Sequence, residues 1–399
     1  MPITINQTPS QFNLAQSPIA YSVIDGAYAS SSFYYTCTLQ IWTGSLSASG
    51  SGDQYALRKF PNATGYGLFD VSRFVNSSLN NLAYQDSSSL VWFKPTFNFN
   101  YGGTVSGSNV TASAALAMDG YSVFPEQINS SPTSSYFWPF MTDGPATQSV
   151  VLGDNGYFGG FMGSTSTGIT VTYSGSYSDG TSHETSTIYA QFSPSLFTQG
   201  QVRRIPYGPG QKSQPGVSAF PLPQYTGSNS ASLERYDIML GFPAANNPQR
   251  FRFDVVCPQY YNPVRIMWKN RYGQFDWLNF YLKNTQTFDT EQRVYQPQLG
   301  SWNSSQLNYN AFQTATQRYI VDATQTITVN TNYLQESYNE IMKQLLVTDE
   351  VYWMYDQPNS LVKPLTIKTS NLEFKTGVND KLIQYTITFD IGQPFKLII

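Results

Sequence analysis

The sequence predicts a mainly β protein in which two β-sandwich domains in tandem precede an α+β domain. Three observations predict it. Apolar and polar residues alternate with a period of two in one segment after another. Asp-Gly pairs punctuate the first half of the chain, and a helical spacing of apolar residues is convincing at one place only, near the end. The expected divisions are residues 1–135, 136–261 and 262–399 of the 399 present.

In the first division Tyr35, Cys37, Leu39 and Ile41 alternate with Thr36, Thr38 and Gln40, which reads as a half-buried strand closed by Thr43-Gly44. Val91 and Phe93 begin an extended stretch before Pro95, and Phe97, Phe99 and Tyr101 alternate after it. Asp25-Gly26, Asp119-Gly120, Asp143-Gly144 and Asp179-Gly180 tolerate the positive φ of tight turns, so each marks an expected chain reversal. Their acidic residues do not recur at the spacing of a calcium loop.

Ser130 to Gly163 is rich in Pro, Gly, Ser and aromatic residues and reads as a boundary. Strands are expected over 169–177, 187–192 and 235–240. Tyr207-Gly208-Pro209-Gly210 and the stretch from Gln214 to Pro223 form a Pro/Gly-rich loop long enough to suggest a contact with something else.

The last division opens with Ile266-Met267-Trp268, turns over Asn270 to Gly273 and resumes at Phe275 to Leu282. Residues 288–329 hold few large aliphatics and end in the β-branched run Thr324 to Val329, which reads as a long arm or hairpin. The helix is expected over Tyr333 to Leu346, capped by Asn332 with Gln335 three positions on. Leu334, Tyr338, Ile341, Met342 and Leu345 would share one face. Strands at 351–355, 365–369 and 382–389 complete the unit.

Charged residues make up 12% of the chain, against roughly a quarter in an average soluble protein, while aromatics reach 16%. With 29 Tyr, 26 Phe and 7 Trp there is ample apolar area to offset chain entropy, so disorder is not expected. A polar but weakly charged exterior repels its own copies poorly and suits a protein that packs against others. The formal charge is −3 and the only basic clusters are the pairs Arg58-Lys59 and Arg203-Arg204, too little for counterion-driven nucleic-acid binding. No apolar run has the length of a membrane span, and the opening residues Met1 to Asn6 lack the marks of a secretory signal.

Catalytic signatures are weak. Cys37, Cys257 and the single His183 cannot supply four clustered zinc ligands, and Cys37 reads as a small buried hydrophobe. His183 reads as an exposed turn residue, and no G-x-S-x-G elbow accompanies it. Gly208 to Ser213 resembles the end of a phosphate loop only superficially, because Gln211 interrupts the required Gly-Lys order. Glu234, Asp237 and Asp254 are candidate carboxylates for glycoside hydrolysis, which needs two a few ångströms apart. Sequons at Asn6, Asn62, Asn76, Asn109, Asn129 and Asn303 are expected from composition. The reading is therefore no catalytic, cofactor-binding or metal-binding residue, and no cofactor.

Several stretches resemble virion proteins of tailed bacteriophages, in particular crAss-like phages and their relatives. They are Leu57 to Pro61 with Gly67 to Arg73, Ala117 to Tyr121, Arg203 to Pro209, Asn270 to Asp276 with Asn279-Phe280, and Glu336 to Phe389. The resemblance implies a tail, tail-hub or tail-tip component. It would be built of tandem Ig-like β-sandwiches on a tail-tube-like α+β domain with one helix and a long hairpin arm. The implied partners are further copies in a ring-shaped homo-oligomer and other tail or baseplate proteins, and the implied location is the virion, after synthesis in the host cytoplasm. A receptor-binding or fibre module contacting host surface glycans, with the loop from Tyr207 to Pro223 as its groove, and a capsid decoration protein are the alternatives.

Overall fold

The structure is a computed structural model. It describes residues 3–26, 28, 32–44, 52–79, 90–101, 104–105, 109–123, 137–138, 141–162, 169–189, 202–214, 217–226, 230–241, 249–258, 260–300, 305–306, 308, 312–357, 359–374 and 383–393. Parts of the stretch from Ser130 to Gly163, and the sequons at Asn129 and Asn303, lie outside the described residues. The chain is mainly β, with sandwich-like pairs of sheets.

The first unit contains β1 (Thr4–Gln7), β2 (Phe12–Leu14), β3 (Ala20–Ile24), β4 (Tyr34–Trp42), β5 (Asp53–Lys59) and β6 (Tyr66–Asp70). After them come helix α1 (Ser72–Ser78), β7 (Leu90–Tyr101), β8 (Thr104–Val105), β9 (Val110–Thr111) and β10 (Ala115–Met118). A small sheet β1-β3-β6 faces a larger one, β2-β10-β7-β4-β5, with β8 and β9 also on β7. The alternation along β4 buries Tyr35, Cys37, Leu39 and Ile41, which meet Tyr21, Val23 and Phe69 of the small sheet in one core. The extended stretches read before and after Pro95 are one strand that runs through it, opposite Leu39 of β4. Pro95 lies where β10 has ended, at Phe93, and β9 has not begun, at Thr96, so its missing N–H breaks neither ladder.

The second unit holds β11 (Phe137–Trp138), β12 (Thr147–Val150), β13 (Tyr157–Met162), β14 (Ile169–Tyr177), β15 (Ser182–Tyr189), β16 (Val202–Pro206), β17 (Tyr225–Thr226), β18 (Ala231–Gly241) and β19 (Gln249–Val255). Sheet β11-β13-β16 packs on β12-β19-β18-β14-β15, with β17 on β18. Stacked rings fill the space between: Phe158 on Tyr207 at 4.5 Å, Tyr207 on Phe253 at 4.9 Å and Tyr236 on Phe253 at 5.0 Å between centroids.

The third unit comprises β20 (Val264–Lys269), β21 (Phe275–Phe280), β22 (Thr285–Tyr295), β23 (Gln317–Asn330), a 3-10 turn (Glu336–Tyr338), helix α2 (Asn339–Val347), β24 (Val351–Asp356), β25 (Leu361–Ile367) and β26 (Thr386–Ile391). Its seven strands form one sheet in the order β21-β20-β24-β25-β26-β23-β22. The face of Tyr338, Ile341, Met342 and Leu345 packs on Ile266, Trp268, Ile327, Val329, Ile387 and Phe389.

The helix starts later than its spacing suggests. Leu334 forms a β-bridge with Ile383, its N–H donating to Ile383 O at 2.8 Å and its carbonyl accepting from Ile383 N at 3.2 Å. That pairing holds 334 extended, so the cap expected from Asn332 and Gln335 does not form and Asn332 Oδ1 accepts instead from Tyr333 N at 2.8 Å. A tertiary backbone pair has overridden a local helix signal.

Candidate assembly surface

Glu234, Asp237 and Asp254 fall on β18 and β19 but do not form a pair of carboxylates flanking a cleft. Asp237 is bridged by Arg250 and, at 3.0 Å, by Arg252, while Asp254 accepts from Arg235 at 2.7 Å. Burial alone would raise the Asp237 carboxyl, but hydrogen bonds from Arg250 and Arg252 outweigh it and hold it below the ordinary carboxylate range. A general acid for glycoside cleavage needs the opposite shift. His183 is exposed at the start of β15, just beyond the turn where it was expected.

The loop that follows Pro206 was expected to contact something else, and its apolar side chains pack inward while Lys212, Ser213, Ser218 and Ala219 stay exposed. Tyr207, Gln211, Val217, Phe220 and Leu222 are buried. Three of its amides are engaged, Gly208 N donating to Gly156 O at 3.0 Å, Gly210 N to Asp154 O at 2.8 Å and Gln211 N to Gly208 O at 3.0 Å, so these three are not turned toward a phosphate. A Cβ on Gly208 would lie 2.4 Å from Asp154 O, and one on Gly210 would lie 2.3 Å from Gly153 O, so close backbone approach explains both glycines. The contact the loop makes is with its own chain, where Gln214 Nε2 donates to Ser360 Oγ after β24.

Two of the four Asp-Gly pairs likewise serve something other than a hairpin. Asp179-Gly180 does turn β14 into β15, with Gly180 at φ +82°. Asp119-Gly120 and Asp143-Gly144 instead meet the turn between β20 and β21. Lys269 reaches Asp119 and, at 3.1 Å, Glu350. Tyr121 N donates to Arg271 O at 2.8 Å, and Asn270 Nδ2 to Met141 O at 2.8 Å. Arg271 Nε lies 2.6 Å from Asp143 Oδ2, which also accepts from Gln344 Nε2 of α2 at 2.6 Å. Below this lies Asp276, buried, its carboxyl pushed up to about 7 by that burial despite hydrogen bonds from Thr142 and Asn270.

A second buried network ties the middle unit to the third. Asp154 Oδ2 accepts from Arg265 at 3.1 Å, from Asn279 and from Val151 N at 2.8 Å, while Oδ1 accepts from Gln357 Nε2 at 3.0 Å. Arg265 Nε also donates to Asn155 O at 2.7 Å. Met267, Phe275, Trp277 and Met354 of the third unit belong to the same apolar core as Tyr173, Tyr236 and Phe253 of the second. Units drawn as separate in the sequence therefore share their interiors.

At this junction a cleft of about 520 Å³ is lined by Thr142, Asp143, Arg250, Arg271 and Glu340 among others. Its charges are matched within the chain, Arg250 to Asp237, Arg271 to Asp143 and Glu340 to Lys343 at 3.0 Å, which leaves little to orient a substrate. Among the described residues no group of three or more His, Cys, Asp or Glu is placed to hold a metal ion. None of the described helices is long and apolar enough to cross a membrane.

Among the described residues, the ribbon of β22 and β23 stands apart from the cores along most of its length. Eleven register pairs join it, from Thr285↔Thr328 to Tyr295↔Gln317, covering the arm expected over 288–329. All eleven residues of β22 are exposed. At about 3.3 Å per residue the ribbon is roughly 36 Å long. Only its root joins the sheet, through Thr326 to Asn330 on β26. The far edge of the sheet, β21, is covered by the middle unit, with Trp277 edge-on to Tyr157 at 5.6 Å, while β22 has no partner but β23 among the described strands. Phe288, Val294, Tyr295, Leu299, Phe312 and Tyr319 are all exposed on it and its connecting loop. A long exposed edge with rings beside it is a template for strand pairing or docking.

Comparison with known proteins adds no identity. No family model and no curated protein matches the chain. Among solved structures it aligns with CBD12 from CALX1.2 at 9% identity over 62% of this chain and 83% of that one, with a TM-score of 0.20. It also aligns with the calcium-binding domain CBD12 of CALX1.1 at 11% identity over 60% and 79%, again with a TM-score of 0.20. Similarity at that level transfers neither fold nor calcium binding to this chain.

Proposed function

We propose that the protein is a non-enzymatic structural component of a virus particle: a tail, tail-hub or tail-tip protein of a tailed bacteriophage that assembles into a ring. The third unit, read as tail-tube-like, makes the ring contacts, and the two sandwich units, read as Ig-like, dock neighbouring tail or baseplate proteins. The observation that carries this reading is the ribbon, because an isolated two-stranded ribbon is marginal in water and this one has all of β22 exposed. The weakly charged, ring-rich composition supports it, since such a surface favours association. The ion pairs that join the units through Arg265, Lys269 and Arg271 support it too, because a building block must present its surfaces in fixed relation.

Sedimentation velocity and electron microscopy of the purified protein, with a reconstruction of particles that contain it, test the reading. Closed rings in solution and ring-symmetric density at one tail position are expected. A protein that stays monomeric at high concentration and is missing from mature particles would sink the proposal.

For the fibre or receptor-binding alternative, the rings Tyr207 and Phe220 of the loop from Tyr207 to Pro223 are buried and so do not line a groove. Its remaining foothold is the exposed pair Tyr260 and Tyr261 beside a cleft of about 190 Å³. Binding on a glycan array that disappears in Tyr260→Ala would favour that reading over the ring.

A further inference from the structure

The ribbon has two unlike faces. Opposed residues of an antiparallel pair share a face, as do residues two apart on one strand. One face therefore carries Phe288, Thr290, Gln292, Val321 and Ala323, continuing the side on which Ile327 enters the core. The other carries Asp289, Glu291 and Asp322, with Arg293 following. Glu291 and Asp322 stand directly opposite each other, an arrangement that weakens a ribbon on its own and is relieved by an approaching cation.

A complementary surface lies on the first unit. β5 is the outer strand of its sheet, paired with β4 alone among the described strands. At its end the Arg58 guanidinium lies 3.5 Å from the centroid of Tyr34 and 5.1 Å from that of Phe60. Phe60 is itself 64% exposed. Exposed Lys59 follows on the opposite face of this edge strand, the side where Phe74 of α1 packs on Tyr55 at 5.2 Å and Arg73 is exposed, so the strand end carries cations on both its faces. Of the two basic pairs in the chain this one is at the surface, since Arg204 of the other is buried over Tyr157. Ring-stacked arginine beside an exposed ring is pre-ordered and loses little freedom on docking.

We infer that the acidic face of the β22–β23 ribbon of one copy docks on the Tyr34–Arg58–Phe60 corner of the next copy. The contact is head to tail: each molecule offers a different surface at each end, so repetition closes a ring or continues a stack. This inference rests on the assembly reading above and specifies its contact.

The test uses two full-length charge-reversal variants, Arg58→Glu/Lys59→Glu/Arg73→Glu and Asp289→Lys/Glu291→Lys/Asp322→Lys. All six positions apart from their charge are surface sites, and melting temperature with near-ultraviolet circular dichroism checks that both variants fold. Sedimentation velocity at low and high salt reads assembly. Wild type is expected to assemble more weakly at high salt, and each variant alone to lose at least about tenfold in association. An equal mixture is expected to recover, because each acidic surface then meets a basic one. Variants that assemble like wild type would overturn the docking inference while leaving the assembly reading standing. Loss in both without recovery in the mixture would overturn it as well. A monomeric wild type would remove the assembly reading and this contact with it.

Discussion

Arg265 and Asp154 form an ion pair of 3.1 Å whose side chains are 2% and 0% exposed, joining β20 of the third unit to the loop before β13 in the second. Removing one partner of such a pair leaves a buried charge without compensation. Arg265→Met is expected to destabilise the chain by about 3–5 kcal/mol, read as a lower denaturant midpoint. In the double variant Asp154→Leu/Arg265→Met a large part of that loss should return. A single variant that unfolds like wild type would refute the role assigned to the pair.

Asp276 gives the stability a pH dependence of definite sign. Its folded carboxyl, raised by burial to about 7, holds a proton that the unfolded chain has released above the ordinary value of 3.8. The unfolded state then binds fewer protons than the folded one, so stability falls as pH rises between those values. Its contribution is complete below pH 3.8 and lost once pH exceeds about 7. The difference in melting temperature between Asp276→Asn and wild type should therefore change steadily across this window, in favour of the variant as pH rises, and level off above it. A difference independent of pH would contradict the assignment.

Two glycines from outwardly identical Asp-Gly pairs should respond unequally. Gly180 has φ +82° with open space where a Cβ would go, so Gly180→Ala pays only conformational strain of about 1 kcal/mol. Gly120 has φ +134°, and a Cβ there would lie 2.4 Å from Arg271 O. Gly120→Ala should cost about 1–3 kcal/mol more and speed proteolysis between the first unit and the rest. Equal effects would mean that the contact with Arg271 is not held in solution.

The two cysteines should separate by reactivity. Cys37 is buried between sheets and its thiol is pushed up to about 12 by that burial, whereas Cys257 is exposed. A thiol reagent at neutral pH is expected to label Cys257 promptly in the native protein and Cys37 only after unfolding, because the thiolate is the reactive form. Prompt labelling of both would mean that the first core is open.

The ribbon should matter for assembly and hardly at all for folding. Replacing residues 289–324 by Asn-Gly would join Phe288 to Gln325, which already face each other, through a two-residue hairpin turn. Because all of β22 is exposed, the melting temperature of the monomer should stay close to wild type while association is abolished. A collapse in stability would make the ribbon a structural support, not a contact surface.

Much of the secondary structure can be read from local pattern. The alternation Tyr35-Cys37-Leu39-Ile41 fixes which face of β4 is buried, and the poverty of large aliphatics over most of 288–329 already marks an arm that meets the core only at its root, through Ile327 and Val329. The apolar spacing of Tyr338, Ile341, Met342 and Leu345 identifies the buried face of α2. The start of that helix could not be read, because what holds Leu334 extended is Ile383, far along the chain. Asp119 and Asp143 carried the same signal as Asp179, yet meet Lys269 and Arg271. The basic corner was half legible: Arg58-Lys59 stands out as a pair, but nothing local brings Tyr34 and Phe60 around Arg58.

By itself the sequence determined that this chain is β-rich, that one strong helix lies near its end, that a polar arm precedes that helix, and that its surface is sparsely charged. These are properties of residue spacing and composition, which act over a few residues or add up over all of them. Only the tertiary structure decided that Tyr207, Phe220 and Leu222 of the long loop turn inward, that the units share interiors through Arg265 and Trp277, and that β22 is the outer strand among those described. The physical reason is range: burial and pairing depend on what arrives from a hundred residues away, and a carboxylate's local sequence does not specify which cation it will meet.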